Sequence, residues 1–188
     1  MILGIVVEGP SDAAAYSKLI PRIRPIIENV LSRPCGGKSP LGQKFVGFLE
    51  EFQDLTVEKA LVIRDSDCRD PRIVEEKLEL RLRESGYRPP FSVYFYATNC
   101  MLETWLLADE SAVNRVAQNR AKPPRAQPID GPLEGRRDAQ ALFHRMLSQA
   151  QLPADPAVYA EVATVADINL IQRRCPYFQH FVTRVLDC

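Results

Sequence analysis

The chain has 188 residues, of which 46% are hydrophobic and 26% are charged, a composition typical of one soluble globular domain. Basic and acidic residues number 24 each, so the chain has no overall positive charge to attract nucleic acid, and a polyanion would have to bind a local patch. Five cysteines without a CxxC pair argue against a disulfide framework, and no apolar run approaches the ~18 residues of a membrane span, so we expect a cytoplasmic protein.

The first predicted strand covers residues 2–7 and ends at Glu8. A charged residue after a continuous apolar run is poorly suited to a core but well placed at the carboxyl edge of a buried parallel strand. Ser11 is the predicted N-cap of a helix over residues 11–23, and Asp12 lies in its first turn. We therefore expect Glu8 to face a crevice at the sheet edge, while Ser11 and Asp12 are either helix caps or ligands.

A second strand is predicted within residues 26–31, followed by a loop with the sequence Gly-Gly-Lys. The spacing around Lys38 is not that of a nucleotide P-loop, because the GxxxxGK[ST] pattern is absent. Lys38 is a candidate contact for a substrate phosphate, and the alternative is a flexible connector. Apolar residues at helical spacing then predict a helix over residues 42–55.

Two carboxylates, Asp65 and Asp67, follow the third predicted strand, which begins at Ala60. In open α/β sheets, ligands bind in the crevice outside the carboxyl ends of the strands. Mg²⁺ prefers carboxylate oxygens and keeps several waters, so this Asp-x-Asp pair is a candidate cation site. The alternative is a solvated loop whose aspartates cap the helix that begins near Pro71.

A helix over residues 71–85 and a strand over residues 91–97 complete an alternating β-α-β-α-β-α-β pattern. Such alternation predicts an α/β fold with a Rossmann-like, mostly parallel four-stranded sheet flanked by helices. We divide the single domain 1–188 into an α/β core, 1–100, and a helical extension, 101–188.

The extension begins with a short apolar helix over residues 100–108 that carries Glu103 and Trp105. Because this helix follows the fourth strand directly, Glu103 begins near the acidic crevice. It is therefore either a further ligand or supporting acid, or a helix-surface residue with Trp105 in the core. Further helices are predicted over 138–150, 156–165, 168–173 and 177–186, with Asp167 as an N-cap.

Residues 115–137 contain six basic and two acidic residues together with several prolines and two glycines. Such a segment is not expected to stay helical, which predicts a long basic loop. Arg120, Lys122 and Arg125 are its candidate contacts to nucleic acid, and the alternative is a solvated insertion.

A strand that ends in Glu-Gly, followed later by a strand that ends in Asp-x-Asp, resembles the TOPRIM domain. That domain is shared by topoisomerases, primases, the overcoming-lysogenization-defect nucleases and a ribosomal-RNA maturase. The chain also resembles a bacterial family of small stand-alone TOPRIM-like proteins, although it has Ser11-Asp12 where that family often has Thr-Glu. The matching segments are Val7-Glu8-Gly9 with Asp12, the run Leu102 to Asp109, and the stretch from Val165 to Phe178.

The resemblance implies that Glu8 is a general acid or base and that Asp65 and Asp67 hold Mg²⁺, with Mn²⁺ as a substitute. Glu8, Asp12 and Glu103 are further candidate metal ligands. The implied activity is a metal-dependent nuclease that hydrolyses phosphodiesters in DNA or RNA. Since small nucleases of this superfamily often act beside a separate ATPase, the resemblance also implies an ATPase partner and a role in defence against phages or other mobile elements.

Two other function classes fit the same residues. One is a non-catalytic module that binds a phosphorylated ligand or a partner protein in the acidic crevice. The other is a small-molecule phosphatase or phosphotransferase. Substrate length separates them, because only a nuclease must cut a polynucleotide.

Overall fold

The centre of the molecule is a sheet of four parallel strands, described here from a computed structural model that covers residues 1–188. The strand order is β2-β1-β3-β4, so β1 and β3 are central and β2 and β4 are edges. This arrangement confirms the predicted α/β fold class. The strands are β1 (Ile2–Val7), β2 (Asn29–Pro34), β3 (Lys59–Asp65) and β4 (Ser92–Thr98).

Helices connect successive strands and then form the extension. The three connecting helices are α1 (Pro10–Ile23), α2 (Lys38–Asp54) and α3 (Pro71–Ser85). The extension contains α4 (Glu103–Leu106), α5 (Glu110–Asn119), α6 (Ala139–Gln149), α7 (Pro156–Val165), α8 (Ile168–Arg174) and α9 (Phe178–Asp187). None of these helices combines the length and the apolar character that crossing a membrane requires.

The two faces of the sheet are covered by different helices, because successive strand residues point to opposite faces. Leu3 and Ile5 of β1 belong to a buried cluster that also contains residues of α1 and of the extension, including Trp105 and Phe181. Val6 belongs to a smaller cluster with residues of α2 and α3. The extension is therefore packed on the same face as α1, which brings its polar residues near the sheet edge.

A close contact sets the distance between β1 and α2. Gly4 lies under the ring of Phe52, and a Cβ atom added at Gly4 would come within 2.6 Å of that ring. Only glycine leaves room for the aromatic ring to lie this close to the strand. The position of α2, and of the loop before it, thus depends on a residue that lacks a side chain.

Several predicted boundaries are wrong. The second strand begins at Asn29, within the predicted segment 26–31, but it continues past residue 31 to Pro34, because β2 is an edge strand whose outer side needs no ladder hydrogen bond. The second helix begins at Lys38 rather than at residue 42, because Gly37 provides its N-cap. The helix predicted over residues 100–108 is confined to Glu103–Leu106.

Ser11 is not the N-cap of α1, which begins one residue earlier. The N-cap is Gly9, whose N–H donates to the Asp12 carboxylate at 2.8 Å. The basic segment 115–137 is also not a loop throughout, since α5 continues to Asn119. From residue 120 onward it lacks regular secondary structure, although Ala126 and Leu133 are buried in the core.

The cysteine count argues against a disulfide framework, yet Cys68 and Cys100 are joined in a disulfide. They lie in the loops that follow the neighbouring strands β3 and β4, and their Cα atoms are 4.0 Å apart. The adjacency of these loops is a consequence of strand order, which the number of cysteines does not reveal. The other three cysteines are free and buried.

Candidate active site

Three polar residues meet where β1, β3 and β4 end. Glu8 follows β1, while Asp65 and Thr98 are the last residues of β3 and β4 and lie side by side in the strand register. The Asp65 N–H donates to Glu8 Oε1 at 3.0 Å, and the Thr98 hydroxyl donates to Asp65 Oδ1 at 2.8 Å. Because adjacent parallel strands end at the same sheet edge, these bonds fix the two acids relative to each other.

The main chain of Glu8 is also held in place by the loop before α2. The N–H groups of Gly36 and Gly37 donate to the Glu8 carbonyl at 2.9 and 2.8 Å. These glycines have φ angles of 85° and 121°, which side-chain-bearing residues rarely adopt. The glycine pair therefore positions Glu8 and places Lys38, the first residue of α2, beside it.

A cavity of about 450 Å³ opens at this sheet edge. Its lining includes four carboxylates from three separate segments of the chain and a single lysine. It is thus a polar cavity whose charge is predominantly negative. The polar side chains that line it are Glu8, Asp12, Lys38, Asp65, Glu103 and Gln140.

The extension supplies and orients the acid Glu103. Only 4% of this residue is exposed, and its Oε1 accepts hydrogen bonds from the Tyr159 hydroxyl at 2.9 Å and from Gln140 Nε2 at 3.2 Å. The alternative that Glu103 is a helix-surface residue is therefore wrong, although Trp105 is in the core as that alternative expected. The Tyr159 hydroxyl is in turn 3.0 Å from Nε2 of the exposed His144.

Burial and mutual repulsion favour the protonated forms of Glu8, Asp12 and Asp65. Burial raises the pKa of Glu8 to about 7, although the Asp65 N–H and then Lys38 oppose the shift. Burial, followed by the nearby charge of Glu103, raises the pKa of Asp12 to about 6. The pKa of Asp65 is raised well above its usual range by burial and then by Asp12 and Glu8. Ionisation of these three groups is therefore less favourable in the fold than in water.

Asp67 lies beside the cavity rather than in its lining. Its backbone has a φ angle of 54°, and its carboxylate, 42% exposed, forms an ion pair with Lys38. Burial lowers the pKa of Lys38, but the hydrogen bond to Asp67 and the charge of Glu8 outweigh this effect and raise it overall. The binding of one cation by both Asp65 and Asp67 stays a prediction.

The acids form a set of oxygen donors but not a closed cage. No three histidine, cysteine, aspartate or glutamate side chains converge as direct ligands of one ion. Mg²⁺ usually keeps several waters and binds through one or two carboxylates, so a closed cage is not required. The raised pKa values of Glu8, Asp12 and Asp65 indicate a site that a cation would relieve of repulsion. The donor set thus fits hydrated Mg²⁺ or Mn²⁺.

The predicted nucleic-acid contacts are dispersed in the structure. Arg120 forms an ion pair with Glu161 at 2.6 Å, and Lys122 and Arg125 are exposed on the segment after α5. None of these three lines the acidic cavity, whereas Lys38 does. Their role in binding nucleic acid stays a prediction.

Several residues that complete the site do not stand out in the sequence. Thr98, Gln140 and Tyr159 contact the acids across sequence separations of 33 to 56 residues, and no local pattern indicates such contacts. Arg64, whose Nε is 3.8 Å from Glu8 Oε1, directly precedes Asp65. Among these four residues, only Arg64 had a sequence signal, which is its position next to Asp65 at the strand end.

Neither the models of protein families nor the curated proteins contain a match to this chain. Among solved structures, the chain is similar to the C-terminal region of the Burkholderia pseudomallei OLD protein. The TM-score is 0.46 at 15% sequence identity, and the alignment covers 96% of this chain and 98% of the other.

Proposed function

We propose that this protein is a Mg²⁺-dependent phosphodiester hydrolase that acts as a nuclease on DNA or RNA. The observation that carries the proposal is the convergence of Glu8, Asp12, Asp65 and Glu103 on one cavity that also contains Lys38. Attack on phosphorus requires neutralisation of the phosphate oxygens and a group that transfers a proton. This cavity contains side chains suited to both tasks.

Glu8 is the candidate for proton transfer. With a pKa of about 7, its ionised and protonated forms are both populated near neutral pH. The ionised form would accept a proton from the attacking water, and the protonated form would donate one to the leaving oxygen. The hydrogen bond from the Asp65 N–H holds one carboxylate oxygen and leaves the other for this exchange.

Charge compensation is assigned to Lys38 and to a bound cation. The Lys38 ammonium lines the cavity and is a donor for a non-bridging phosphate oxygen. Asp65, with Asp12 and Glu103 nearby, would hold Mg²⁺, and Asp67 would join them or keep Lys38 oriented. The ion would neutralise phosphate charge and polarise water.

A cleavage assay tests the proposal. Purified protein is incubated with end-labelled single- and double-stranded DNA and RNA in Mg²⁺, Mn²⁺ or chelator, and p-nitrophenyl phosphate is a parallel substrate. We expect metal-dependent cutting of a polynucleotide that Glu8→Gln and Asp65→Asn each abolish. Glu58→Gln, directly before the start of β3 and therefore at the opposite end of the sheet, is a matched control that should keep full activity.

The outcomes separate the three function classes. If the protein releases nitrophenolate but does not cut polynucleotides, it is a phosphatase and not a nuclease. Binding of phosphorylated ligands without any hydrolysis, with and without candidate ATPases, would indicate the non-catalytic module. If the Glu8→Gln and Asp65→Asn variants still cut polynucleotide, the acidic cavity is not the active site.

The sequence resemblance extends the proposal to defence against phages or other mobile elements together with a separate ATPase. Affinity purification of the tagged chain from its own host tests this part. An ATPase should be recovered with it, and phage plating should change when Glu8→Gln replaces the wild type. Recovery of no ATPase and unchanged plating would remove the defence role while leaving the hydrolase proposal in place.

A further inference from the structure

A second cavity of about 400 Å³ adjoins the acidic one on the other side of Asp65. Asp65 lines both cavities, so they meet at the residue that we assign to the reaction. We refer to this second cavity as the basic groove, because three cations line it between the end of β3 and α3. Its charged lining residues are Arg64, Asp65, Asp67, Arg69 and Lys77.

The cations of the basic groove are only weakly engaged by acids of the protein, through one long ion pair of 3.8 Å between Arg64 Nε and Glu8 Oε1. Arg64, Arg69 and Lys77 donate no side-chain hydrogen bond, and one of the two groove acids, Asp67, is already paired with Lys38. Many other arginines are bound to carboxylates or carbonyls. Those paired with acids at 3.6 Å or less are Arg33, Arg72, Arg115, Arg120, Arg136 and Arg184.

Arg64 is the clearest case of an unused donor. Its Nε atom is buried and has no hydrogen-bond partner, and the Glu8 carboxylate at 3.8 Å is too distant to accept. A buried donor that is left without an acceptor is unfavourable, so an oxygen supplied by a ligand would relieve it. Arginine and lysine together at an open groove are suited to phosphate oxygens.

We propose that the basic groove binds the phosphates of a polynucleotide strand next to the phosphate held in the acidic cavity. This inference rests on the proposed function and deepens it, because it assigns the path of the substrate backbone beyond the phosphate that is cut. A phosphomonoester would occupy the acidic cavity alone and would gain nothing from Arg69 or Lys77. The contacts are to the backbone, so the binding is independent of base sequence.

Binding in chelator tests the groove without any cutting. The affinity of a fluorescein-labelled oligothymidylate is measured by anisotropy over a series of salt concentrations for the wild type and for Arg69→Ala with Lys77→Ala. Both residues are exposed, so the double variant should fold normally, which circular dichroism checks. Loss of two phosphate contacts should reduce the slope of log K against log salt by about 1.4, since each contact contributes about 0.7 on a single strand.

A matched control removes one lysine and one arginine elsewhere on the surface. Lys18 of α1 and Arg83 of α3 are also exposed and unpaired, and they line neither the acidic cavity nor the basic groove. The variant Lys18→Ala with Arg83→Ala should keep the wild-type salt slope. The comparison separates a local contact from the effect of net charge.

Two results would overturn the inference: a groove variant with the wild-type slope, or a wild type that binds no oligothymidylate at low salt. Failure of the groove inference and failure of the hydrolase proposal would also give different results. If the wild type cuts polynucleotide but does not need Arg69 and Lys77 for binding, only the inference about the basic groove is wrong. If the wild type binds through the groove but never cuts, even with an ATPase partner, only the hydrolase proposal is wrong.

Discussion

At the scale of single residues, Asp65 differs from Asp67 although both lie at the carboxyl end of the same strand. Asp65 faces the other acids and has a raised pKa, whereas Asp67 is more exposed and pairs with Lys38. Repulsion at Asp65 is unfavourable in the metal-free fold, and a bound cation would remove it. The two residues therefore respond differently to the same substitution.

We predict that Asp65→Asn melts at a higher temperature than the wild type in chelator and gains little from Mg²⁺. For a chain of this size, each 1 kcal/mol of stabilisation shifts the melting temperature by about 2–4 °C. Asp67→Asn is the control, because it loses an ion pair and should not melt higher in chelator. Differential scanning fluorimetry with and without Mg²⁺ measures both. If Asp65→Asn melts lower in chelator and keeps the full Mg²⁺ response, Asp65 is a structural residue and not a ligand.

The raised pKa of Glu8 predicts how stability depends on pH. Between its ordinary value of 4.5 and about 7, the folded chain retains a proton that the unfolded chain releases. The unfolded state binds fewer protons in this range, so stability falls as the pH rises through it. One pKa unit corresponds to 1.36 kcal/mol, and the loss attributable to Glu8 is therefore about 3 kcal/mol.

Urea unfolding in chelator at about pH 5 and about pH 8 measures this dependence. Glu8→Gln should flatten the profile only in part, because the pKa values of Asp12 and Asp65 are raised as well. A wild-type protein whose stability increases over the same range would show that the acids are not mutually destabilising in the folded state.

At the scale of secondary-structure elements, the packing of β1 against α2 depends on Gly4. A methyl group at Gly4 would collide with the Phe52 ring, and overpacking of this kind usually costs about 1–3 kcal/mol. Gly4→Ala should therefore be destabilised by about that amount in urea unfolding. Gly47 is the matched control, since it lies within α2 with nothing within 4 Å of an added Cβ.

Gly47→Ala should be stabilised by roughly 0.5–1 kcal/mol, because alanine restricts the unfolded chain and favours helix. The opposite signs of the two substitutions are the test. Equal effects would mean that the close approach of Phe52 to β1 does not limit the packing.

At the scale of the whole molecule, the helical extension completes a site that begins on the sheet. Gln140 of α6 and Tyr159 of α7 both donate to Glu103, which itself follows β4. One buried cluster includes residues of the sheet, α1 and the extension. The geometry of Glu103 is therefore tied to the packing of α6 and α7.

We predict that Tyr159→Phe lowers the free energy of unfolding by about 1–3 kcal/mol, because it removes a donor from a buried carboxylate. Tyr94→Phe is the control, since the Tyr94 hydroxyl makes no hydrogen bond and should change stability little. Urea unfolding of both variants provides the comparison. Losses of the same size in the two variants would show that the hydrogen bond to Glu103 contributes nothing.

The sequence by itself determined the order of strands and helices and the placement of two acids at strand ends. Glu8 and Asp65 interrupt apolar runs, and the carboxyl ends of adjacent parallel strands share one edge, so their proximity follows from local patterns. The boundaries of α3 and α7 were also predictable. Proline begins each helix, and the aspartate before it accepts a hydrogen bond from the first turn.

Only the tertiary structure decided which distant residues complete the site. Thr98, Gln140 and Tyr159 reach the acids through strand register and helix packing, which depend on the whole core rather than on any local period. The Cys68–Cys100 disulfide likewise depends on β3 and β4 being neighbours. Local patterns report which side of an element is apolar, but contacts between elements far apart in sequence are set when those apolar sides pack together.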